Sequence, residues 1–496
     1  MSPASPLTLA LDHHLAERPD AVALVDAGRA WTWRALDGAA RAHATRLAAA
    51  GVGPGERVAV MARTSAGLVA VALAHLRLGV VHVPVNTRYR ADEVEHVVGH
   101  SGARLLVTDA MIDQATAGDA DAPVAATHAW PDPPDADALA LIVYTSGTTG
   151  RPKGVMLSHR ALAANLGAVM AAWRVTSADV LSLALPLFHV HGLGLGVLGA
   201  LALAGARVHL HAHFSPAAIV DDFRDGGATV FMGVPTMYHA LLAHLDAHPD
   251  DAAALARGRL FTAGSAALPA VDFERFRAVT GQPILERYGM TETGFLLANP
   301  YEGERRAGTV GMPVAGVELR LVDDHGAPVG DGEPGEIEVR GGGMMDGSWR
   351  DPDATAAAFR EGWFRTGDVA RREPSGHVRI VGRASTDIIK SGGFKIGAHE
   401  IEEALMSDPR LAEVAVLGVP DPMWGEAIAA VVAARPGAAL PGEETLLGEL
   451  RARVGERLAD FKRPRAVRVV AALPRNAMGK VTKAALRPLF GARGGA

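Results

Sequence analysis

The stretch Tyr144–Gly154, which reads YTSGTTGRPKG, comes directly after the apolar run Leu139–Val143. Its glycines allow backbone N–H groups to turn toward an anion, and its threonine and serine hydroxyls add further donors. Lys153 adds a positive charge. The stretch predicts a strand followed by a loop that holds a polyphosphate, although the composition alone fits an ordinary polar loop equally well. It is not a Walker A loop, because Pro152 stands where that motif has its second glycine.

Apolar runs on both sides of this loop alternate with segments of helical periodicity from residue 20 to about 300. Such alternation favours a layered α/β architecture with a largely parallel sheet. Farther along, Val317–Val322 and Gly335–Val339 predict a hairpin, because a polar turn rich in glycine and proline separates them. The earlier runs that we interpret as strands are Arg57–Met61, Val80–Val85, Ala103–Val107, Leu139–Tyr144, Val180–Leu185, Ala206–Leu210 and Thr229–Val234.

A second, smaller domain is predicted at the carboxyl end, beyond the glycine-rich segment Gly382–Gly393. There His399–Leu405 predicts a helix, and apolar residues that recur every four positions predict an amphipathic helix around Leu450. We therefore expect a large layered N-terminal α/β domain, residues 1–382, and a small mobile α+β domain, residues 383–496, with ligands bound in the cleft between them. The strands predicted in the small domain are Ala412–Val419, Glu426–Ala434 and Ala466–Leu473.

Composition excludes several classes of function. The chain has 496 residues, 49% of them hydrophobic, and a formal charge of 49 − 55 = −6. This composition indicates a globular protein and argues against a surface that coats nucleic acid. The absence of cysteine excludes disulfides, thiolate metal sites and a cysteine nucleophile. The longest apolar run, residues 193–206, is shorter than the roughly 20 residues that a membrane span needs, so we expect a cytoplasmic protein with no membrane partner.

Lysine is scarce, since only six of the 49 basic residues are lysines. Arginine cannot replace a compact ammonium group at a crowded phosphate or carboxylate. The lysines that remain are therefore candidates for specific roles, and they are Lys153, Lys390, Lys395, Lys462, Lys480 and Lys483.

Three further motifs carry chemistry. ERYGMTET, Glu286–Thr293, brings an aromatic ring, a hydroxyl and a carboxylate together after a strand, and the carboxylate of Glu292 could hold Mg²⁺. WFRTGD ends in Asp368, and a carboxylate can accept both hydroxyls of a ribose. PRNAMGK places Lys480 in a glycine turn near the carboxyl end.

Taken together, the four motifs resemble, in order and spacing, those of the adenylate-forming superfamily, which includes acyl-CoA synthetases, peptide-synthetase adenylation domains and luciferases. The resemblance implies that ATP and Mg²⁺ activate a carboxylic acid as an acyl-adenylate, releasing pyrophosphate. A thiol then displaces AMP, and coenzyme A is the natural donor because the chain has no cysteine. The resemblance also implies that the small domain rotates between the two steps about a pivot near Arg383–Asp387.

The resemblance assigns roles position by position. The implied catalytic residues are Lys480, which bridges the substrate carboxylate and the α-phosphate, Thr145, and Glu292, which is also the metal carboxylate. The residues implied to line the tunnel for the pantetheine arm of CoA are Ser391, Gly392, Gly393 and Phe394. The implied nucleotide-binding residues are Thr145, Ser146, Gly147, Thr148, Thr149 and Lys153 at the phosphates, Gly264, Ser265, Ala266, Glu286, Arg287 and Tyr288 around adenine, Thr291 at the α-phosphate, and Asp368 and Arg383 at the ribose.

A finer resemblance is to malonyl-CoA synthetases, through strings such as PLFHVHGL, GVPTMYH and GSAALP. The informative residue is Arg287, because a buried guanidinium is costly unless a second substrate carboxylate meets it. A local pair with Glu286 or Glu304 is the alternative. His189, His191, Gly289 and Met290 complete the implied acyl pocket. The chain departs from those enzymes at Gly294–Leu297, where they tend to have polar residues, so methylmalonate or another short dicarboxylate stays open.

Two patterns carry less weight. Gly194, Gly196 and Gly199 satisfy a dinucleotide fingerprint, but they lie in an apolar segment that fits a packed helix equally well. His209, His211 and His213 alternate along a strand as metal ligands could, although a solvated face is the simpler interpretation. Two alternatives to a CoA ligase also remain: an enzyme that loads a separate carrier protein, and a nucleotide-binding protein without catalysis.

Overall fold

The computed structural model describes residues 3–116, 129–145, 152–384, 387–391, 394–475 and 481–491. Serine and threonine cap several helices by accepting a backbone N–H in the first turn, as Ser65 and Ser158 do. The helices are α1 Pro6–Glu17, α2 Trp33–Ala49, α3 Ala66–Leu78, α4 Ala91–Ser101, α5 Asp109–Thr116, α6 His159–Ala172, α7 Pro216–Arg224, α8 Pro235–Ala247, α9 Ala252–Leu255, α10 Ala270–Thr280, α11 Pro352–Ala357, α12 Ala398–Met406 and α13 Glu443–Gly455, with a π-helix at His191–Leu203 and 3₁₀ turns at Pro249–Asp251, Asp460–Lys462 and Lys483–Phe490.

The strands fall into four sheets. The first fourteen strands are β1 Val22–Asp26, β2 Arg29–Thr32, β3 Arg57–Met61, β4 Val81–Pro84, β5 Leu105–Thr108, β6 Leu139–Thr145, β7 Lys153–Ser158, β8 Val180–Leu183, β9 Arg207–Leu210, β10 Val230–Gly233, β11 Leu260–Ala263, β12 Leu285–Met290, β13 Gly294–Ala298 and β14 Met312–Pro313. The others are β15 Val317–Val322, β16 Gly335–Gly341, β17 Gly347–Ser348, β18 Phe359–Arg360, β19 Trp363–Arg372, β20 Val378–Arg383, β21 Ile388–Ser391, β22 Phe394–Gly397, β23 Leu411–Asp421, β24 Gly425–Ala434 and β25 Ala466–Val470.

Two sheets with parallel centres form the body of the large domain. One has the order β14-β13-β12-β11-β10-β8-β9-β1-β2, and the other has the order β17-β7-β6-β4-β3-β5. Strands β8 to β12 of the first sheet pair in parallel, so their carboxyl ends lie at one edge. The segments after β8 and β11, together with β12 itself, are those in which the sequence predicts the acyl and adenine sites, and this edge brings them together. The layered α/β prediction is confirmed.

A third sheet, β15-β16-β19-β18 with β20 beside β19, is antiparallel and contains the predicted hairpin. The small domain has the sheet β22-β21-β24-β23, with β25 parallel to β24. Its apolar core includes Ile401 of α12 and Leu446, Leu450 and Val454 of α13, as the four-residue spacing predicted. The proposed domain boundary at residue 383 falls at the last residue of β20.

In the part of the chain that the structure describes, every helix is too short or too polar to cross a lipid bilayer. The apolar run that includes residues 193–203 is instead the buried π-helix, which packs against α6 and α1.

Candidate active site

The predicted phosphate loop joins β6 and β7, which pair antiparallel so that Thr145 lies opposite Lys153. At the base of this hairpin the Thr145 hydroxyl donates to Oε1 of Glu292, at 3.4 Å. The structure therefore brings together the first residue of the loop and the predicted metal carboxylate, although they are 147 positions apart in sequence. Ser146, Gly147, Thr148 and Thr149 lie outside the described residues.

Glu292 meets the requirements for a Mg²⁺ ligand that shares the ion with phosphate. Burial raises the pKa of its carboxyl group, because the neighbouring positive charges do not compensate for the water that the ionised carboxylate has lost. Mg²⁺ commonly binds one or two carboxylates together with substrate phosphates. Among the described residues no cluster of three acidic or histidine side chains forms a cage for a metal, so a site here would depend on the nucleotide for most of its ligands.

Two histidines outside the motif contact the hairpin, one on each side, and no pattern in the sequence indicated these contacts. The Nε2–H of His96 donates to the carbonyl oxygen of Pro152 at 3.0 Å, and the hydroxyl of Tyr144 lies 2.8 Å from Nδ1 of His100. Lys153, predicted at the phosphates, has its ammonium 3.4 Å from a carboxylate oxygen of Asp351. That pair is half exposed, so a phosphate group could compete for the ammonium.

The predicted ribose residues lie side by side. Asp368 on β19 is opposite Arg383 on β20, and the Nε of Arg383 is 3.0 Å from Oδ1 of Asp368. The hydroxyl of Tyr288 donates to Oδ2 of the same carboxylate at 2.5 Å. Burial and the neighbouring carboxylate raise the pKa of Tyr288, which keeps the phenol protonated as a donor. The third sheet thus brings the Asp368 carboxylate against the end of β12.

The predicted adenine segments follow two adjacent parallel strands, with Ala263 of β11 opposite Glu286 of β12. Ser265 has a φ of 68°, an uncommon conformation for a non-glycine residue, and Ala266 beside it is exposed. Oε1 of Glu286 accepts the N–H of Gly308 at 2.9 Å, and burial raises the pKa of its carboxyl to about 8. Glu286 therefore turns toward the loop at Gly308.

Arg287 points to the other face of β12 and is buried, with 4% of its surface exposed. Its Cζ lies 4.7 Å from the centroid of the Phe295 ring, and a Cβ at Gly264 would be 2.5 Å from it. Within the described residues, Nε and Nη2 have no hydrogen-bond partner. Burial lowers the pKa of the guanidinium to about 9, so it stays charged at neutral pH.

The two acidic residues that could have paired with Arg287 are engaged elsewhere. Glu286 accepts the Gly308 N–H, and Glu304 binds Arg306 at 2.9 Å. Neither acidic residue therefore neutralises the buried charge of Arg287.

Two histidines predicted for the acyl pocket adjoin this guanidinium. His191 is buried beside Phe295, and its Nδ1 lies 3.3 Å from the hydroxyl of Ser265. Its Nε2 has no partner among the described residues. Burial and the nearby charge of Arg287 lower the pKa of His191 well below its ordinary value, so the ring is neutral. The N–H of His191 donates to Nδ1 of His189 at 3.2 Å, which fixes the tautomer of His189.

Gly289 and Met290 end β12 and Thr291 begins the turn to β13, where the close approach of the two strands depends on small residues. A Cβ at Gly289 would lie 2.2 Å from the carbonyl oxygen of Gly294. Asn165 of α6, which the sequence did not indicate, binds both backbone groups of Phe295 at 2.9 Å. This amide clamp holds the ring of Phe295 beside Arg287.

The predicted CoA residues lie at the β21–β22 turn of the small domain. Ser391 is buried, whereas Phe394 is 51% exposed and stacks on Phe461 with the ring centroids 4.2 Å apart. Gly392, Gly393 and Lys480 lie outside the described residues.

The two patterns with less weight have structural roles. The glycines of the dinucleotide-like pattern lie inside the π-helix, where a Cβ at Gly196 would lie 2.4 Å from Leu183. His209 and His211 both bind the carboxylate of Asp222, at 3.0 Å and 2.6 Å. The structural role of these two histidines is therefore to bind a largely buried carboxylate.

Family models match both parts of the chain: "AMP-binding enzyme" over residues 11–349, and "AMP-binding enzyme C-terminal domain" over residues 400–480. A feruloyl-CoA synthase from Amycolatopsis sp is 36% identical, covering 95% of this chain and 96% of the relative. ATP-bound MatB from Rhodopseudomonas palustris has a TM-score of 0.87 and 35% identity, covering 99% of each chain. A malonyl-CoA ligase with methylmalonyl-CoA and AMP bound has a TM-score of 0.66 and 46% identity, covering 92% of this chain and 97% of that one.

Proposed function

Since the chain belongs to the AMP-binding enzymes, as an AMP-forming acid–CoA ligase similar to malonate–CoA ligases, we propose that its acid is a short dicarboxylate, with malonate first and methylmalonate second. ATP and CoA are the other substrates, and the products are the dicarboxylyl-CoA, AMP and pyrophosphate. The cytoplasmic location and the domain limits 1–382 and 383–496 stay predictions.

The buried guanidinium of Arg287 carries this proposal. A charge removed from water is costly unless an opposite charge or good hydrogen bonds compensate. The unpaired Nε and Nη2 can donate to the two oxygens of one carboxylate, the geometry in which arginine binds best. His191 next to it has an unpaired Nε2 for a further contact. A monocarboxylic acid would leave these donors without a partner.

The near carboxylate of the acid would react as follows. One of its oxygens attacks the α-phosphorus of ATP, the bond to the bridging oxygen breaks, and pyrophosphate leaves with the electron pair. Two anions approach each other in this step, so positive charge at the reacting atoms lowers the barrier. We assign this charge to Lys480, with Thr291 near the α-phosphate and Lys153 at the leaving phosphates.

Mg²⁺ fits the same step. Glu292 would hold it, with the Thr145 hydroxyl 3.4 Å from the carboxylate, and the ion would neutralise charge on the phosphates. Asp368 and Arg383 would hold the ribose, with the Tyr288 hydroxyl bound to the Asp368 carboxylate. The thiol of CoA would then attack the acyl carbon and displace AMP, with Ser391 and Phe394 at its tunnel.

A larger, monocarboxylic acid is the second candidate. Its support is the feruloyl-CoA synthase relative, together with the buried apolar residues Phe295, Leu296 and Leu297 along β13. A separate carrier protein in place of CoA is the third, and assaying thioester formation with CoA alone distinguishes it.

The test is a panel of acids scored by CoA-dependent AMP release: malonate, methylmalonate, succinate, acetate, butyrate and ferulate. We expect malonate or methylmalonate to give the highest kcat/KM. The proposal fails if ferulate or butyrate exceeds both short diacids. ATP–pyrophosphate exchange without thioester formation would instead favour a carrier protein as the acceptor.

A further inference from the structure

Lys483 belongs to a largely buried ionic cluster in the small domain, close in sequence to the proposed domain boundary. Its ammonium lies 2.7 Å from Oδ1 of Asp387 and 2.7 Å from Oε1 of Glu402, and only 13% of its side chain is exposed. His399 completes the cluster, with Nδ1 2.8 Å from Oε2 of Glu402 and Nε2 3.8 Å from Oδ2 of Asp387. Two largely buried carboxylates thus share the buried ammonium of Lys483 and the partly exposed ring of His399.

The cluster joins three separate parts of the chain. Asp387 lies immediately before β21, His399 and Glu402 lie on α12, and Lys483 begins the last 3₁₀ turn. Glu402 also accepts the backbone N–H of Val416 at 2.7 Å. The pKa of Glu402 is lowered to about 2 by His399 and Lys483, so its carboxylate stays ionised and the ion pairs persist at neutral pH.

Asp387 connects the cluster to Arg383, the last residue of β20. Its Oδ2 accepts the backbone N–H of Arg383 at 3.2 Å, and its own N–H donates to the carbonyl of Arg383 at 2.8 Å. The side chain of Arg383 in turn binds Asp368 at 3.0 Å. A continuous set of contacts therefore runs from the proposed ribose carboxylate to the ammonium of Lys483.

Lys483 also stands close to Lys480 along the chain, three positions after it. Lys480 belongs to the segment 476–480, and the residues that flank this segment are hydrogen-bonded to each other. Arg475 and Val481 form a β-bridge, and the N–H of Thr482 donates to the carbonyl of Pro474 at 2.8 Å. The ion pair between Lys483 and Asp387 links these flanking residues to the residue that precedes β21.

We propose that Lys483 is a positioning residue for the adenylation step: its ion pair with Asp387 fastens the end of the segment that carries Lys480 to the strand that carries Arg383. This inference rests on the proposed function, in which Lys480 serves adenylation only. Misplacing a reacting group by about 1 Å can cost about 100-fold in rate, so loss of the pair should slow the first half-reaction far more than the second.

The test compares Lys483→Met with the control Lys462→Met. Lys462 is also in the small domain, has 14% of its side chain exposed and pairs with Glu400 at 2.6 Å, but it has no contact with Asp387 in the described structure. Adenylation is measured by ATP–pyrophosphate exchange, and the second step by thioester formation from supplied acyl-adenylate and CoA. We expect Lys483→Met to lose about tenfold to 100-fold in exchange and less than about threefold in thioester formation, with Lys462→Met near wild type in exchange.

Asp387→Asn removes the negative charge of the same ion pair and replaces Lys483→Met in the test if that variant does not fold. We expect Asp387→Asn to slow exchange to a similar extent. The double variant Lys483→Met/Asp387→Asn should be little slower than the slower of the two single variants, since each single change already removes the same interaction. Equal loss in both half-reactions, unchanged exchange, or additive losses would overturn the proposal. Any acid that the wild-type protein adenylates can be used, so failure of the malonate assignment is seen separately, as a wild-type protein that is inactive with malonate.

Discussion

At the scale of single residues, Arg287 offers the sharpest test of the diacid. In Arg287→Ala the distal carboxylate loses its charged donors, and hydrogen bonds to charged groups are worth about 1.5–3 kcal/mol each. We therefore expect kcat/KM for malonate to fall by about 100-fold, while activity with acetate or butyrate changes little or rises. The measurement is CoA-dependent AMP release for the three acids.

The nucleotide serves as the control for this variant, because Arg287 was also predicted around adenine. Its position over the Phe295 ring and beside His191 favours the acyl role. The KM for ATP should therefore stay near the wild-type value. A uniform fall with all three acids, or a large rise in the KM for ATP, would contradict the acyl role of Arg287.

Glu286 gives a pH-dependent prediction. Its pKa is raised from 4.5 to about 8 by burial, so the folded protein binds a proton that the unfolded chain releases above pH 4.5. This group's contribution to stability is complete below pH 4.5 and is lost as the pH rises toward 8, by up to about 1.4 kcal/mol per pH unit. In Glu286→Gln, the amide oxygen can still accept the Gly308 N–H and nothing titrates.

The check on Glu286 is the midpoint of thermal unfolding at several values between pH 5 and pH 8. We expect the midpoint of Glu286→Gln to fall less with rising pH than that of the wild type. Two parallel curves would show that the carboxyl is already ionised in the folded protein.

At the scale of elements, the close approach of β11 and β12 places Gly264, the residue after β11, against the guanidinium of Arg287. A Cβ there would lie 2.5 Å from the guanidinium carbon of Arg287, a distance at which something must move. We expect Gly264→Ala to push the guanidinium aside and raise the KM for malonate about tenfold or more, the size expected when a charged contact of about 1.5 kcal/mol is lost.

Gly38→Ala is the matched control for Gly264→Ala. Gly38 lies within α2, and a Cβ there would meet no atom within 4 Å. Alanine stabilises helix interiors relative to glycine, so this variant should keep wild-type kinetics and unfold at the same or a slightly higher temperature. An unchanged KM for malonate in Gly264→Ala would mean that Arg287 is not held in the pocket as described.

Elements with a clear period could be predicted from the sequence, whereas contacts from distant elements could not. The runs at Arg57–Met61 and Val317–Val322 are strands with the predicted limits, because alternating or continuous apolar residues directly indicate burial. The apolar segment that begins at His191 is helical, yet no sequence rule indicates its π hydrogen bonding. The clamp by Asn165 lies 130 positions from Phe295, and a single amide in a helix carries no signal of such a partner.

At the scale of the whole molecule, motif order was the reason that the candidate site could be predicted. Thr145 and Asp368 lie on strands of two different sheets and Glu292 lies in a turn between two strands of a third, so spacing alone could not say that they meet. The family resemblance supplied that arrangement, and the structure brings Thr145 to Glu292 and Tyr288 to Asp368. What it could not supply is the state of each charge, such as the pairing of Lys153 with Asp351, because that depends on a neighbour outside every motif.

If the small domain rotates between the two half-reactions, substitution of Lys480 should affect the first half-reaction and not the second. If the small domain presents Lys480 to the reacting phosphate only during adenylation and then rotates away, Lys480→Ala should abolish ATP–pyrophosphate exchange, because no other lysine is assigned to the attacking carboxylate. Thioester formation from supplied acyl-adenylate should stay within about threefold of wild type, since in that step no carboxylate approaches the α-phosphate and the attack is on the acyl carbon. Equal loss in both half-reactions would mean that one arrangement of the two domains serves both steps, and the rotation would have to be abandoned.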